Sequence, residues 1–206
     1  MLVAILLIRF RDTILSEMIT EGISQFVDEH AKGEEKKLES FIEDTRDHLH
    51  IISEENARGP QPDGTIPVTL DISGMYTNVP WEEGKEAFKE ALDQRDDQSV
   101  PTSFLLQLVM LVLCYNIFVF DSVLFMQLFG VAMGSRVAPT FSCLFMGWLE
   151  KRMLQGWALT GGMLPYLWRR YIDDIIFYWR GTEAELLQFV EFLNTFHPTI
   201  KFKLQL

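Results

Sequence analysis

The run LPYLWRRYIDDIIFYW (164–179) constrains the fold of this chain more than any other stretch. Aromatic and β-branched residues flank two adjacent aspartates, which predicts a β-hairpin with Asp173 and Asp174 near its turn. Carboxylates packed together against apolar flanks repel one another and lose hydration, so the arrangement is costly unless a cation accompanies it. Divalent ions take hard oxygen ligands, and two of them about 3.5–4 Å apart clamp the attacking and leaving oxygens of an in-line phosphoryl displacement. The plainer reading is a polar turn, since Asp is a favoured turn residue. A third carboxylate weighs against it: Asp71 ends the apolar run of VTLDI (68–72), which reads as a short buried strand far along the chain from the hairpin. Alone, Asp71 reads more readily as an N-cap or turn residue.

The other segments fit an α+β chain with no strict βαβ alternation. RGPQPDGTIP (58–67) is a loop, and Pro80 starts a helix over Trp81–Leu92. Val100-Pro101-Thr102-Ser103 opens an apolar helix through about Tyr115, and residues 117–128 predict a hairpin turning at Asp121-Ser122. The glycine-bearing loop GVAMGSRVAP (130–139) leads into a helix over about Thr140–Gln155. Thr182 with Glu185 forms a capping box for a helix ending near His197-Pro198, and IKFKLQL (200–206) alternates like a strand. Leu38, Phe41, Ile42, Leu49 and Ile52 recur at helical spacing within an acidic stretch, 18–58.

Charge is the main objection to a phosphoryl-transfer chain that handles nucleic acid. With 29 acidic and 18 basic side chains the formal charge is −11, whereas phosphate-tracking surfaces are basic. Residues 18–58 hold 11 of the acids and 5 of the bases, so −6 of that charge lies away from the aspartates discussed above. Cys114 and Cys143 stand in apolar stretches and read as free buried thiols. The opening MLVAILLIRF is too short to span a bilayer and lacks a cleavage site, so a strand, a helix start or a truncation scar is expected, in a soluble intracellular chain.

Three stretches together carry a family resemblance. LDISGMYTNVP (70–80), GVAMGSRVAPTFSCLFMGWLE (130–150) and RYIDDIIFYW (170–179) resemble reverse-transcriptase motifs A, B and C, in order. Their wording is most similar to that of Penelope-like retroelements, and the likeness runs from ISQFVDEH at Ser24 through LNTFHPTIKF (193–202). The resemblance implies a right-hand polymerase palm over 68–206 carrying motifs A to D, and an N-terminal helical, partial-fingers region over 1–67. It implies RNA-directed DNA polymerase activity on an RNA template, a DNA primer and dNTPs. Asp71, Asp173 and Asp174 resemble the catalytic ligands of two Mg²⁺ ions, with Mn²⁺ a substitute, assisted by the Ile72 carbonyl. Tyr76 resembles the aromatic gate against a 2′-OH, with ordinary core packing as its alternative. Gly74 and Met75 fall where the family's amides meet the triphosphate, and Met133-Gly134 where nucleotide and template are positioned. Lys201 or Lys203 resembles the proton donor to pyrophosphate, and either is equally a surface lysine.

The departures matter too. MLVAILLIRFRDTIL stands where the family carries an RPIVS-like segment, Val131 replaces a Thr, and Arg136 replaces a Lys. No primer-grip-like FLD segment follows 202, so the expectation is a fragment without thumb or GIY-YIG endonuclease, with weak synthesis or none. Two rivals remain: a catalytically inactive retroelement remnant acting as an interaction module, and a metal-dependent phosphohydrolase. The second leaves Tyr76 and AMGSRVAP unexplained. A nuclear location is implied by retroelement ancestry alone.

Overall fold

The computed structural model describes residues 10–121 and 123–205, with burial assigned from residue 17 onward save 119 and 124. The expectation for MLVAILLIR therefore lies outside the described residues. In chain order the elements are α1 (Phe10–Ala31), α2 (Thr45–Ala57), β1 (Ile66–Ile72), α3 (Met75–Asn78), α4 (Trp81–Asp93), α5 (Thr102–Cys114), β2 (Ile117–Phe120), β3 (Val123–Met126), α6 (Val137–Leu159), β4 (Tyr166–Tyr171), β5 (Asp174–Trp179), α7 (Glu183–Phe196) and β6 (Phe202–Gln205). Helices with antiparallel sheets make the chain α+β, as its pattern predicts.

Local chemistry sets several boundaries. Asp44 caps α2 by accepting from the amides of Arg46 and Asp47. Pro80 and Pro101 stand at the N-caps of α4 and α5, where a missing N–H costs nothing. The expected capping box opens α7, with Thr182 and Glu185 bonding reciprocally. α6 begins at Val137, ahead of the expected Thr140, because Pro139 is tolerated in a first turn. One expectation fails: Leu38, Phe41 and Ile42 are not helical. A short 3₁₀ turn over Glu34–Lys37 intervenes, and Phe41 instead bridges Arg170 in parallel, extended fashion.

The described residues gather into two compact units, one from residues up to Lys32 with Tyr76–Ser142, the other from Gly33–Met75 with Cys143 onward. In the second unit a four-stranded antiparallel sheet runs β4-β5-β1-β6. Val68, Leu70 and Ile72 of β1 are buried beside Ile175, Phe177 and Trp179 of β5. Phe189 of α7 packs on this face, with ring centroids 5.4 Å from Trp179, 6.0 Å from Phe177 and 5.4 Å from Trp157 of α6. In the first unit α5 packs between α1 and α4, Phe141 at the head of α6 lies 5.4 Å from Phe88, and β2–β3 forms the expected hairpin.

Candidate active site

Strand parity decides which side chains leave the core. Since Val68, Leu70 and Ile72 point inward, Asp71 points outward, and likewise Asp174 heads the outward set of β5. The register sets Asp71 directly opposite Asp174 across one strand gap and opposite Lys203 across the other. Asp173 occupies the turn, and its carbonyl accepts from the Ile72 amide at 2.9 Å. The aspartates are thus less enclosed than the apolar flanks imply: Asp173 and Asp71 are half-buried and Asp174 is exposed.

The turn itself is strained. Tyr171 pairs with Asp174, leaving Ile172 and Asp173 as a two-residue connection in which Ile172 has φ 54°. A β-branched residue in the left-handed region costs of order 1–3 kcal/mol and persists only where its surroundings impose it. Here the Ile172 carbonyl accepts a hydrogen bond at 3.0 Å from the guanidinium of Arg170, a wholly buried side chain that also donates to Glu150 Oε1 at 2.8 Å. Glu150 in turn accepts from the Ser40 hydroxyl at 2.6 Å.

Electrostatics at the outward face favour a cation. Burial pushes the Asp174 carboxyl above its ordinary range, and repulsion from Asp173 and Asp71 adds to the rise. Among the described residues no lysine or arginine forms an ion pair with these three carboxylates. Among the described residues no three or more His, Cys, Asp or Glu side chains, these aspartates included, are gathered closely enough to hold a metal ion by themselves. An open set of hard oxygens fits Mg²⁺, which keeps waters and is held by one or two carboxylates together with substrate phosphates. The two candidate lysines differ in their engagements. Lys201 Nζ donates to the His197 carbonyl at 2.9 Å and to that of Asn194, which commits it to the C-terminus of α7. Lys203 shares the register row and face of Asp71.

Gly74 follows β1 with φ 58°, and the Ser73 amide before it donates to the Lys201 carbonyl at 2.9 Å. Met75 is buried. Tyr76, Met133 and Gly134 belong to the first unit, where the Tyr76 carbonyl accepts from Val131 N at 2.6 Å. Met133 and Gly134 (φ 106°) are exposed on a cleft of about 570 Å³ that Ser24, Thr77, Asn116 and Val131 also line. The loop is fastened to α1 at one-turn intervals. Arg136 pairs with Glu21 at 2.8 Å, the Ser24 hydroxyl accepts from Val137 N at 3.1 Å, and Thr140 donates to Asp28 at 2.7 Å. A plain glycine turn would need none of these ties.

The family model for reverse transcriptase (RNA-dependent DNA polymerase) matches residues 5–206, nearly the whole chain. This chain is a member of that reverse transcriptase family. The fold of this reverse-transcriptase chain is shared with solved telomerases. Telomerase of Candida albicans, in complex with a TWJ fragment of telomeric RNA, matches at TM-score 0.60 and 12% identity over 96% of this chain and 35% of that one. Apo telomerase of Candida tropicalis, truncated from its C-terminal domain, matches at TM-score 0.58 and 14% identity over 92% of this chain and 40% of that one. This chain therefore spans well under half the length of those proteins. No curated protein sequence matches it. What sequence reasoning overlooked in this reverse-transcriptase chain is the buried set Arg170, Glu150 and Ser40. Its one visible signal is that Glu150 and Arg170 each adjoin an apolar stretch, GWLE and LWRRYI.

Proposed function

We propose that this reverse-transcriptase chain performs two-metal nucleotidyl transfer from a dNTP to a primer 3′-hydroxyl on an RNA template, and that it derives from a Penelope-like retroelement. The observation that supports this most is the outward register row that sets Asp71 against Asp174, with Asp173 in the adjoining turn. Asp71, Asp173 and Asp174, with the Ile72 carbonyl, would hold the two divalent ions. When bound, those ions supply positive charge to the attacking oxygen and the phosphoryl group. The chain's own groups do the rest. Gly74 and Met75 present amides to the triphosphate, Tyr76 bars a 2′-OH, and Met133-Gly134 orient the incoming nucleotide. Lys203 is the better candidate for the leaving-group proton, since the Lys201 ammonium is engaged at the end of α7. In this reading residues 68–206 are the palm and 1–67 the helical, partial-fingers region.

A second reading, a non-catalytic interaction module, is favoured by the −11 charge and by the exposed Phe118, Phe120 and Leu128 on and beside β2–β3. Single-nucleotide extension of a primed RNA template, with Mg²⁺ and with Mn²⁺, separates the two. The polymerase reading expects metal-dependent addition that Asp173→Asn/Asp174→Asn reduces to background. A folded chain that adds nothing in either metal leaves the interaction module standing.

A further inference from the structure

We propose that Arg170 is a positioning residue. By hydrogen bonding to the Ile172 carbonyl it holds the Ile172–Asp173 turn, and so sets where the Asp173 and Asp174 carboxylates stand for a divalent ion. The second half of this rests on the reading of those aspartates as ion ligands. A buried guanidinium is tolerable only if its donors are satisfied, so its partners disclose its work. Arg170 is fully buried, and Glu150 neutralises it through Nε at 2.8 Å. That contact settles the charge, yet the fork reaches further. Nη2 donates to the Cys143 carbonyl of α6 at 3.1 Å, and Nη1 to the Ile172 carbonyl at 3.0 Å. The main chain of Arg170 is held as well, donating to the Ser40 carbonyl at 2.6 Å and accepting from Ile42 N at 2.9 Å.

The Ile172 carbonyl belongs to the peptide that leads into Asp173. Fixing that oxygen fixes the plane of the peptide, and with it the left-handed Ile172 that the turn requires. On the far side the Asp173 carbonyl is tied to the Ile72 amide, next to Asp71. The turn is therefore clamped from α6 through Arg170 and from β1 through the backbone. Stability alone does not call for such a pair, because well-packed apolar replacements of buried ion pairs are often neutral or stabilising. A side chain that orients ligands from behind is the better account.

The test uses residues 1–206 and two variants, Arg170→Met/Glu150→Met, which removes the pair without stranding a charge, and Arg170→Lys, which keeps the charge but not the planar fork. Ile-Asp occurs once in the sequence, at 172–173, so ¹³C′-isoleucine with ¹⁵N-aspartate labelling yields one HNCO cross-peak. That peak carries the ¹³C′ shift of the carbonyl Arg170 bonds. Binding of Mn²⁺ alone is read by EPR. The expected result is a cooperatively melting double variant whose cross-peak moves and whose Mn²⁺ affinity falls about tenfold or more. Arg170→Lys moves both in the same direction, and it decides the matter if the double variant does not fold. Folded variants with an unmoved cross-peak, or with Mn²⁺ affinity within twofold of the parent, overturn the proposal. A parent chain that binds no Mn²⁺ sinks the ion-site reading and the second half of the proposal with it. The cross-peak still judges the hold of Arg170 on the turn.

Discussion

Asp174 shows how the surroundings of one carboxyl become a property of the whole chain. Its carboxyl is raised by burial and then by Asp173 and Asp71. A raised carboxyl contributes stability that is complete below the ordinary aspartate range and is lost as pH rises through the folded-state value. At neutral pH the Asp174 charge therefore weighs against the fold. Asp174→Asn is expected to raise the melting temperature at pH 7 in chelator and to leave it unchanged near pH 3, as read by differential scanning fluorimetry. Mg²⁺ should stabilise the parent at pH 7 and do less for the variant. Gly130 makes a second case at this scale. It has φ 73°, and a Cβ there would lie 2.6 Å from the Thr77 carbonyl oxygen. Gly130→Ala is expected to cost about 2 kcal/mol or more in urea denaturation, because strain and backbone overlap act together.

Elements were read from local rules, and they hold where local rules suffice. The α7 capping box is one such place: Thr182 and Glu185 satisfy each other whatever packs on the helix. Thr182→Ala should cost about 1 kcal/mol by urea denaturation at pH 7. Bonds from the Thr182 amide and hydroxyl lower the Glu185 carboxyl, so its contribution is present above the ordinary glutamate range and fades as pH falls through the lowered value. The cost of Thr182→Ala should accordingly shrink by pH 3. Leu38, Phe41 and Ile42 show the limit of local rules. Their spacing suits a helix, but main-chain bonds to Arg170 draw Ser40–Ile42 along β4. No window of sequence around residue 40 contains that partner.

At the scale of the molecule the acidity remains the test of any nucleic-acid role. A chain of net charge −11 and pI near 4.8 neutralises few phosphates, so its binding to a primed RNA template should be weak with a shallow salt slope. Anisotropy titrations between 50 and 200 mM salt should show a loss of about tenfold, the change expected for roughly two phosphates neutralised. A loss of about a thousandfold would instead reveal a strong basic track. No helix among the described residues is long and apolar enough to cross a membrane.

Sequence alone determined the order of elements from β1 onward save α3, the α+β class, both hairpins, the α7 cap and the family, because periodicity, turn chemistry and motif wording are local. It also named Asp71, Asp173 and Asp174. The outward face that Asp71 shares with Asp174 follows from the register of β1 on β5, a pairing between distant strands that only the folded sheet supplies. The same holds for Arg170, whose role in the strained Ile172 turn needs Glu150 and Cys143 from α6 and Ser40 from the segment before α2. Tertiary structure decided these matters because each depends on partners brought together only when the core closes.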